Sequence, residues 1–181
     1  AFGENYVQEA AAKQAVLADL AIEWHFIGSL QTNKAKTVAA QFAWVHGVDR
    51  VALAAALSRA RPAGLAPLNV CIQVNISGEL SKSGVSPADV LPLAREMIAL
   101  PRLCLRGLMG IASPPGAGAE PAAEFRLLAE QLAMLRAQLN GEAPLDTLSM
   151  GMTDDLEIAI ACGSTLVRVG SAIFGKRERR A

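Results

Sequence analysis

Two patterns of apolar positions alternate along this chain. Short runs rich in β-branched or aromatic residues are separated by longer Ala/Leu-rich segments whose apolar residues recur at helical spacing, and the alternation persists from end to end. That rhythm is the βα signature of a parallel sheet flanked by helices. The runs predict strands at Ala1 to Gly3, Trp24 to Gly28, Trp44 to Val48, Val70 to Ile76, Leu105 to Ile111, Thr147 to Gly151 and Leu166 to Gly170. The intervening segments predict helices over Tyr6 to Leu20, Asn33 to Gln41, Val51 to Ala60, Val90 to Leu100, Ala122 to Leu139 and Asp154 to Cys162. Asn5 with Gln8 has the spacing of a capping box. Thr153 precedes Asp154, Asp155 and Glu157, a first turn that suits the positive end of the helix dipole. Pro92 cannot sit in a helix interior, so its helix is expected to begin near Asp89. The stretch Ser113 to Pro121, SPPGAGAEP, predicts a mobile loop after a strand rather than a domain boundary, because the βα rhythm continues on both sides.

A doubly wound open sheet and a closed (β/α)8 barrel both accept this pattern. A Rossmann sheet places a Gly-rich phosphate loop after its first strand, and neither GxGxxG nor GxxxxGK[ST] occurs here. Barrels commonly build phosphate sites from the loops after their last two strands. The last two predicted strands carry suitable groups. Ser149 ends one in LSMGMTDD, and Gly170 with Ser171 ends the other in VRVGSAIFG. Glycine permits close backbone approach, and successive N–H groups plus a hydroxyl can hold a phosphate dianion. The barrel is therefore the favoured architecture, with seven strands legible where eight are needed.

Arg168 lies two residues before Gly170 and so points to the same side of the strand. A permanently charged guanidinium there requires an acceptor, either a core carboxylate in an ion pair or a ligand atom such as a heteroaromatic ring nitrogen. His25, in WHFIGSLQTNK, follows the same alternation as a core residue or a ligand contact. Asn75, Ser77, Lys82 and Gly84 read as turn chemistry or as binding groups after another strand. Asp154, Asp155 and Glu157 fit helix-start electrostatics better than a metal site, since no His or Cys lies at a useful spacing. No GxSxG elbow is present.

Composition narrows the partners. With 17 basic and 17 acidic residues the 181-residue chain is neutral, and 52% of it is apolar. A neutral chain lacks the cationic field of a non-specific nucleic-acid or membrane binder. The basic run Lys176 to Arg180 reads as a solvated tail following a domain over 1–175. No apolar run reaches the ~20 residues of a membrane span. Cys71, Cys104 and Cys162 share no CxxC spacing and lie in apolar runs, which predicts buried reduced thiols. These features together predict a cytoplasmic protein without nucleic-acid or membrane partners.

The strings FGENYVQEAAAK, EWHFIGSLQTNKAK, VNISGELSKSG, LRGLMGI and LSMGMTDDLEIAIACGSTLVRVGSAIFG resemble the pyridoxal phosphate homeostasis protein family over essentially the whole chain. The resemblance implies the (β/α)8 barrel of the alanine racemase N-terminal type and a role as a carrier of pyridoxal 5'-phosphate (PLP), rather than an established catalytic reaction. It implies that Ser149, Gly170 and Ser171 hold the cofactor phosphate, that Arg168 faces the pyridine nitrogen, and that Asn5 lies beside the ring. An arginine cannot readily give a full proton to that nitrogen, which makes the cofactor a weak electron sink and suits a carrier. Family members hold PLP through a Schiff-base lysine in an AVSK-type segment preceding FGEN. None of Lys13, Lys34, Lys36, Lys82 or Lys176 matches that motif, so the expectation is an N-terminally truncated, monomeric barrel that lacks strand one with its helix and binds PLP noncovalently. Its expected partners are PLP and PLP-dependent apoenzymes. A PLP-dependent racemase-like enzyme and an inactive fragment are the alternatives.

Overall fold

The apolar runs pair side by side in the order in which they occur. The computed structural model describes residues 1–79, 82–114 and 120–175. Seven parallel strands, β1 (Phe2–Glu4), β2 (Trp24–Phe26), β3 (Trp44–Val48), β4 (Leu68–Gln73), β5 (Leu103–Met109), β6 (Thr147–Met152) and β7 (Leu166–Arg168), form one sheet in sequential order. A doubly wound sheet would reverse its order at a switch point, and this one never does. The sheet instead curls on itself into a nearly closed barrel. The ring of Phe174, just after β7, comes within 6.3 Å of the ring of Phe2 on β1.

Helices α1 (Val7–Val16), α2 (Ala35–Gln41), α3 (Val51–Ala60), α4 (Val90–Ile98), α5 (Pro121–Leu139) and α6 (Leu156–Ala161) cross between successive strands, and a short α7 (Ser171–Phe174) follows β7. Alternation along the strands separates two cores. Phe26, Val45, Val70, Ile72, Leu108 and Leu148 face outward onto Leu53, Leu57, Met97, Phe125, Leu128 and Leu132 of the helices in one apolar cluster. Each such side chain contributes about 1.5–3 kcal/mol by leaving water. The inward positions are different. Trp44, Cys71 and Met109 form a small separate cluster, and beside them the lumen holds His25, His46 and Ser149, all buried.

Several expectations need correction. Asn5 and Gln8 make no capping box: Tyr6 is the N-cap of α1 and carries no side-chain cap bond. The helix ends at Val16, since its predicted last turn is only a loose bend through Leu20. Asp155, not Thr153, is the N-cap of α6, and its Oδ1 accepts the Met152 N–H at 2.6 Å. A 3₁₀ turn, Pro87–Asp89, leads into α4 two residues before the expected start. At the start of the predicted mobile loop the Ser113 N–H and hydroxyl both donate to buried Glu124 at 2.6 and 2.9 Å, while 115–119 of that loop lie outside the described residues. The basic run Lys176 to Arg180 also lies outside them. Cys71 is buried as expected, whereas Cys104 and Cys162 are only partly so, and all three are free thiols.

Candidate functional site

In parallel strands every C-terminal end lies on the same face of the barrel. Asn5 follows β1, Gln73 closes β4, Gly110 follows β5, Met152 closes β6, and Arg168 closes β7 on that face. The chain is tight here: a Cβ on Gly28, just beyond β2, would stand 2.4 Å from the Asn5 carbonyl oxygen. Glycine therefore lets the ends of β1 and β2 converge and holds the exposed Asn5 at the rim.

Arg168 is the central cation. Its Nη1 donates to the Ser149 carbonyl at 2.8 Å and to the Ser149 hydroxyl at 2.7 Å, and its Nη2 donates to the Gly110 carbonyl at 3.0 Å. No carboxylate pairs with it among the described residues. The ion-pair reading of Arg168 is thereby set aside. Enclosure disfavours even this charge and pushes the guanidinium down to about 10.

Ser149 has no exposure at all. Its hydroxyl meets Arg168 on one side and His46 Nδ1 at 2.8 Å on the other, and makes no bond to the Gly170–Ser171 turn. Thr153 is the residue beside that turn. Its hydroxyl accepts the N–H groups of Gly170 and Ala172 at 3.3 and 3.4 Å, from both ends of Ser171. Sequence reading treated Thr153 as a helix cap and missed this role. The available signal was the threonine's position directly after β6 on the rim.

Below Arg168 the lumen is polar. His25 Nδ1 lies 2.9 Å from His46 Nε2, and His25 Nε2 lies 2.9 Å from Glu23 Oε1. His25 is therefore a satisfied interior residue, stacked on Trp44 with 5.2 Å between centroids and 13° between planes. At the opposite end, Arg106 lies 4.7 Å over the Trp44 ring and pairs with Asp146 at 2.8 and 2.7 Å. Burial holds His46 down to about 3, with the neighbouring His25 and Arg168 acting in the same direction. Burial also pushes the Cys71 thiol up to about 12, so it is not a nucleophile.

The described residues of the loop after β4 make turn contacts. Asn75 Oδ1 accepts the Gly78 N–H at 3.1 Å, Gly84 has φ +120°, and Lys82 pairs with Glu79 at 2.8 Å while reaching the Ser113 hydroxyl at 3.3 Å. Lys13 binds Glu4 at 2.6 Å.

Comparison with known proteins gives this geometry a family. Residues 1–178 match the family described as "Alanine racemase, N-terminal domain". The chain is 55% identical over 177 residues to the pyridoxal phosphate homeostasis protein of Pseudomonas aeruginosa, covering 98% of this chain and 74% of that protein. The chain belongs to the pyridoxal phosphate homeostasis protein family. The Escherichia coli K12 family member is 51% identical, with 98% of this chain and 76% of that protein covered. PipY of Synechococcus elongatus, a similar protein solved without and with PLP bound, superimposes with TM-scores of 0.88 and 0.86 at 42% and 40% identity, covering 96% of this chain and 81% of PipY. Alanine racemase from Corynebacterium glutamicum shares the fold at a TM-score of 0.70 and 18% identity, with 100% of this chain and 48% of that one covered. Among the described residues no helix is long and apolar enough to cross a membrane.

Proposed function

We propose that this chain binds PLP at the C-terminal face of the barrel and acts in PLP homeostasis as a cofactor carrier, in the cytoplasm and as a monomer. One observation carries the reading: Arg168, a cation held by two carbonyls and a hydroxyl and, among the described residues, by no carboxylate, stands two residues before Gly170 and its turn with Ser171. The residues fit the cofactor. Open space surrounds Gly170, where a Cβ would meet nothing within 4 Å. Two N–H groups of the adjoining turn converge on a single neutral hydroxyl at the long end of hydrogen-bond distance. A phosphate oxygen is the stronger acceptor for both.

In this reading Gly170, Ser171 and Thr153 bind the phosphate, Arg168 faces the ring nitrogen, and Asn5 borders the ring. Ser149 acts one step removed, by anchoring Arg168. Bound PLP would supply an aldehyde for amines and an electron-accepting ring. Arg168 keeps its own proton beside that nitrogen and so leaves the ring a poor electron sink, which suits carriage and delivery to apoenzymes over catalysis. Relatives named for homeostasis rather than for a reaction support the same choice.

Titration with PLP, followed by absorbance, tests the site. We expect saturable binding, weakened about tenfold to a hundredfold by Arg168→Ala, the cost of losing a charged contact to the ligand. Absence of binding at millimolar PLP, or equal affinity in the variant, would overturn the reading. Exchange of alanine or serine enantiomers by the protein would favour the racemase-like alternative.

A further inference from the structure

Both histidines of the chain meet inside the barrel, and neither touches the rim. They lie in one continuous line of hydrogen bonds. It begins at Arg168 Nη1, passes the Ser149 hydroxyl at 2.7 Å, His46 Nδ1 at 2.8 Å, the His46 Nε2 to His25 Nδ1 contact at 2.9 Å, and ends at Glu23 Oε1, 2.9 Å from His25 Nε2. Arg168 closes β7, whereas Glu23 precedes β2, so the line runs from the C-terminal face toward the opposite end of the barrel.

The two ends dictate which way every proton points. A guanidinium can only donate, so the Ser149 oxygen accepts from Arg168. Among the described residues the Ser149 hydroxyl hydrogen then has one acceptor partner, His46 Nδ1. His46 therefore carries its proton on Nε2 and donates to His25 Nδ1, and His25 carries its proton on Nε2 and donates to the Glu23 carboxylate. Read from the other end, a carboxylate can only accept, and it demands the same tautomer of His25. The two ends agree, and every buried side-chain polar atom among the described residues is satisfied. Burial keeps both rings neutral, which such a line requires.

We propose that Glu23, His25 and His46 form a one-way hydrogen-bond relay that fixes the Ser149 hydroxyl and through it the orientation of Arg168 toward the PLP ring nitrogen, making these three positioning residues for a cofactor they do not touch. The purpose assigned here rests on the PLP reading above; the polarity rests on geometry alone. Glu23 lies at an exposed end, with 56% of its side chain open to solvent, so the relay can be reversed without disturbing the packed interior.

Histidine-nitrogen NMR of the labelled protein reads two rings only, since the chain has two histidines. In the unliganded chain both are expected to be protonated at Nε2 and bare at Nδ1. Glu23→Gln keeps a carbonyl acceptor and should preserve both tautomers. Glu23→Lys can only donate, and should switch both rings to Nδ1–H and weaken PLP binding by about threefold to tenfold through the displaced hydroxyl. A proton on His46 Nδ1 in the unsubstituted chain, or unchanged tautomers in Glu23→Lys, would overturn the relay. Failure of the unsubstituted chain to bind PLP would overturn the functional reading and the purpose of the relay, while the same samples still report its polarity. PLP binding with the wrong tautomer would overturn the relay alone.

Discussion

Arg168 and His46 show how far residue identities carry an argument. Arginine two positions before a glycine, at the end of a strand, demanded an acceptor, and the lumen supplies three that are all neutral. No spacing rule could have paired His46 with Ser149, which are 103 residues apart in the chain. The same isolation makes His46 a handle on stability. Its native pKa, about 3, lies below the ordinary value of 6.5, so between those limits the unfolded chain takes up a proton that the native chain refuses. Stability must therefore fall as pH drops through that window, by about 1.4 kcal/mol per unit once the unfolded histidine is fully charged. His25 is lowered too and acts in the same sense. Urea unfolding should show a loss of about 2 kcal/mol or more between pH 7.5 and pH 5. His46→Gln, whatever its own cost, should flatten much of that slope.

The elements themselves were largely written in the hydrophobic pattern. All seven strands stand where alternating runs were found, and α3 spans Val51–Ala60 as expected. Element ends were less legible, because they depend on contacts with distant chain. Arg61 illustrates this. Sequence places it just past α3, yet its buried guanidinium donates to the carbonyls of Ala39 and Phe42 at 2.7 and 2.8 Å and of Ala66 at 2.8 Å, tying the end of α2 to the approach to β4. Arg61→Ala would leave these carbonyls without their partner and should cost about 2–4 kcal/mol in a urea melt. Gly107 is a second case. It stands in β5 at φ +153°, where a Cβ would be 1.9 Å from the Thr147 carbonyl oxygen, at an irregularity in the pairing with β4. Gly107→Ala is expected to destabilise by at least about 3 kcal/mol, or to prevent folding, because backbone rather than a mobile side chain must give way.

At the scale of the whole molecule, the sheet is strongest at its centre. β4 and β5 have neighbours on both sides and share six paired positions, whereas β1 and β7 are three-residue strands, each paired on one side among the described residues. Hydrogen exchange should therefore be slowest for amides of β4 and β5, tracking global unfolding, and faster by orders of magnitude in β1 and β7. Uniform protection across the sheet would contradict this gradient. The rim site consequently sits on the less protected flank, where Arg168 and the Gly170 turn can adjust to a ligand. What the sequence determined by itself was local: the period of two or of near four in its apolar positions, which decides strand or helix through backbone geometry, and the residue types that cannot be buried without a partner. Only the tertiary structure decided which partner each received. Curling the sheet brought His25, His46, Ser149 and Arg168 from four strands into one lumen, and set Thr153 rather than Ser149 against the Gly170 turn. Those pairings come from strand register and barrel closure, quantities set by the sum of all contacts and carried by no single stretch of chain.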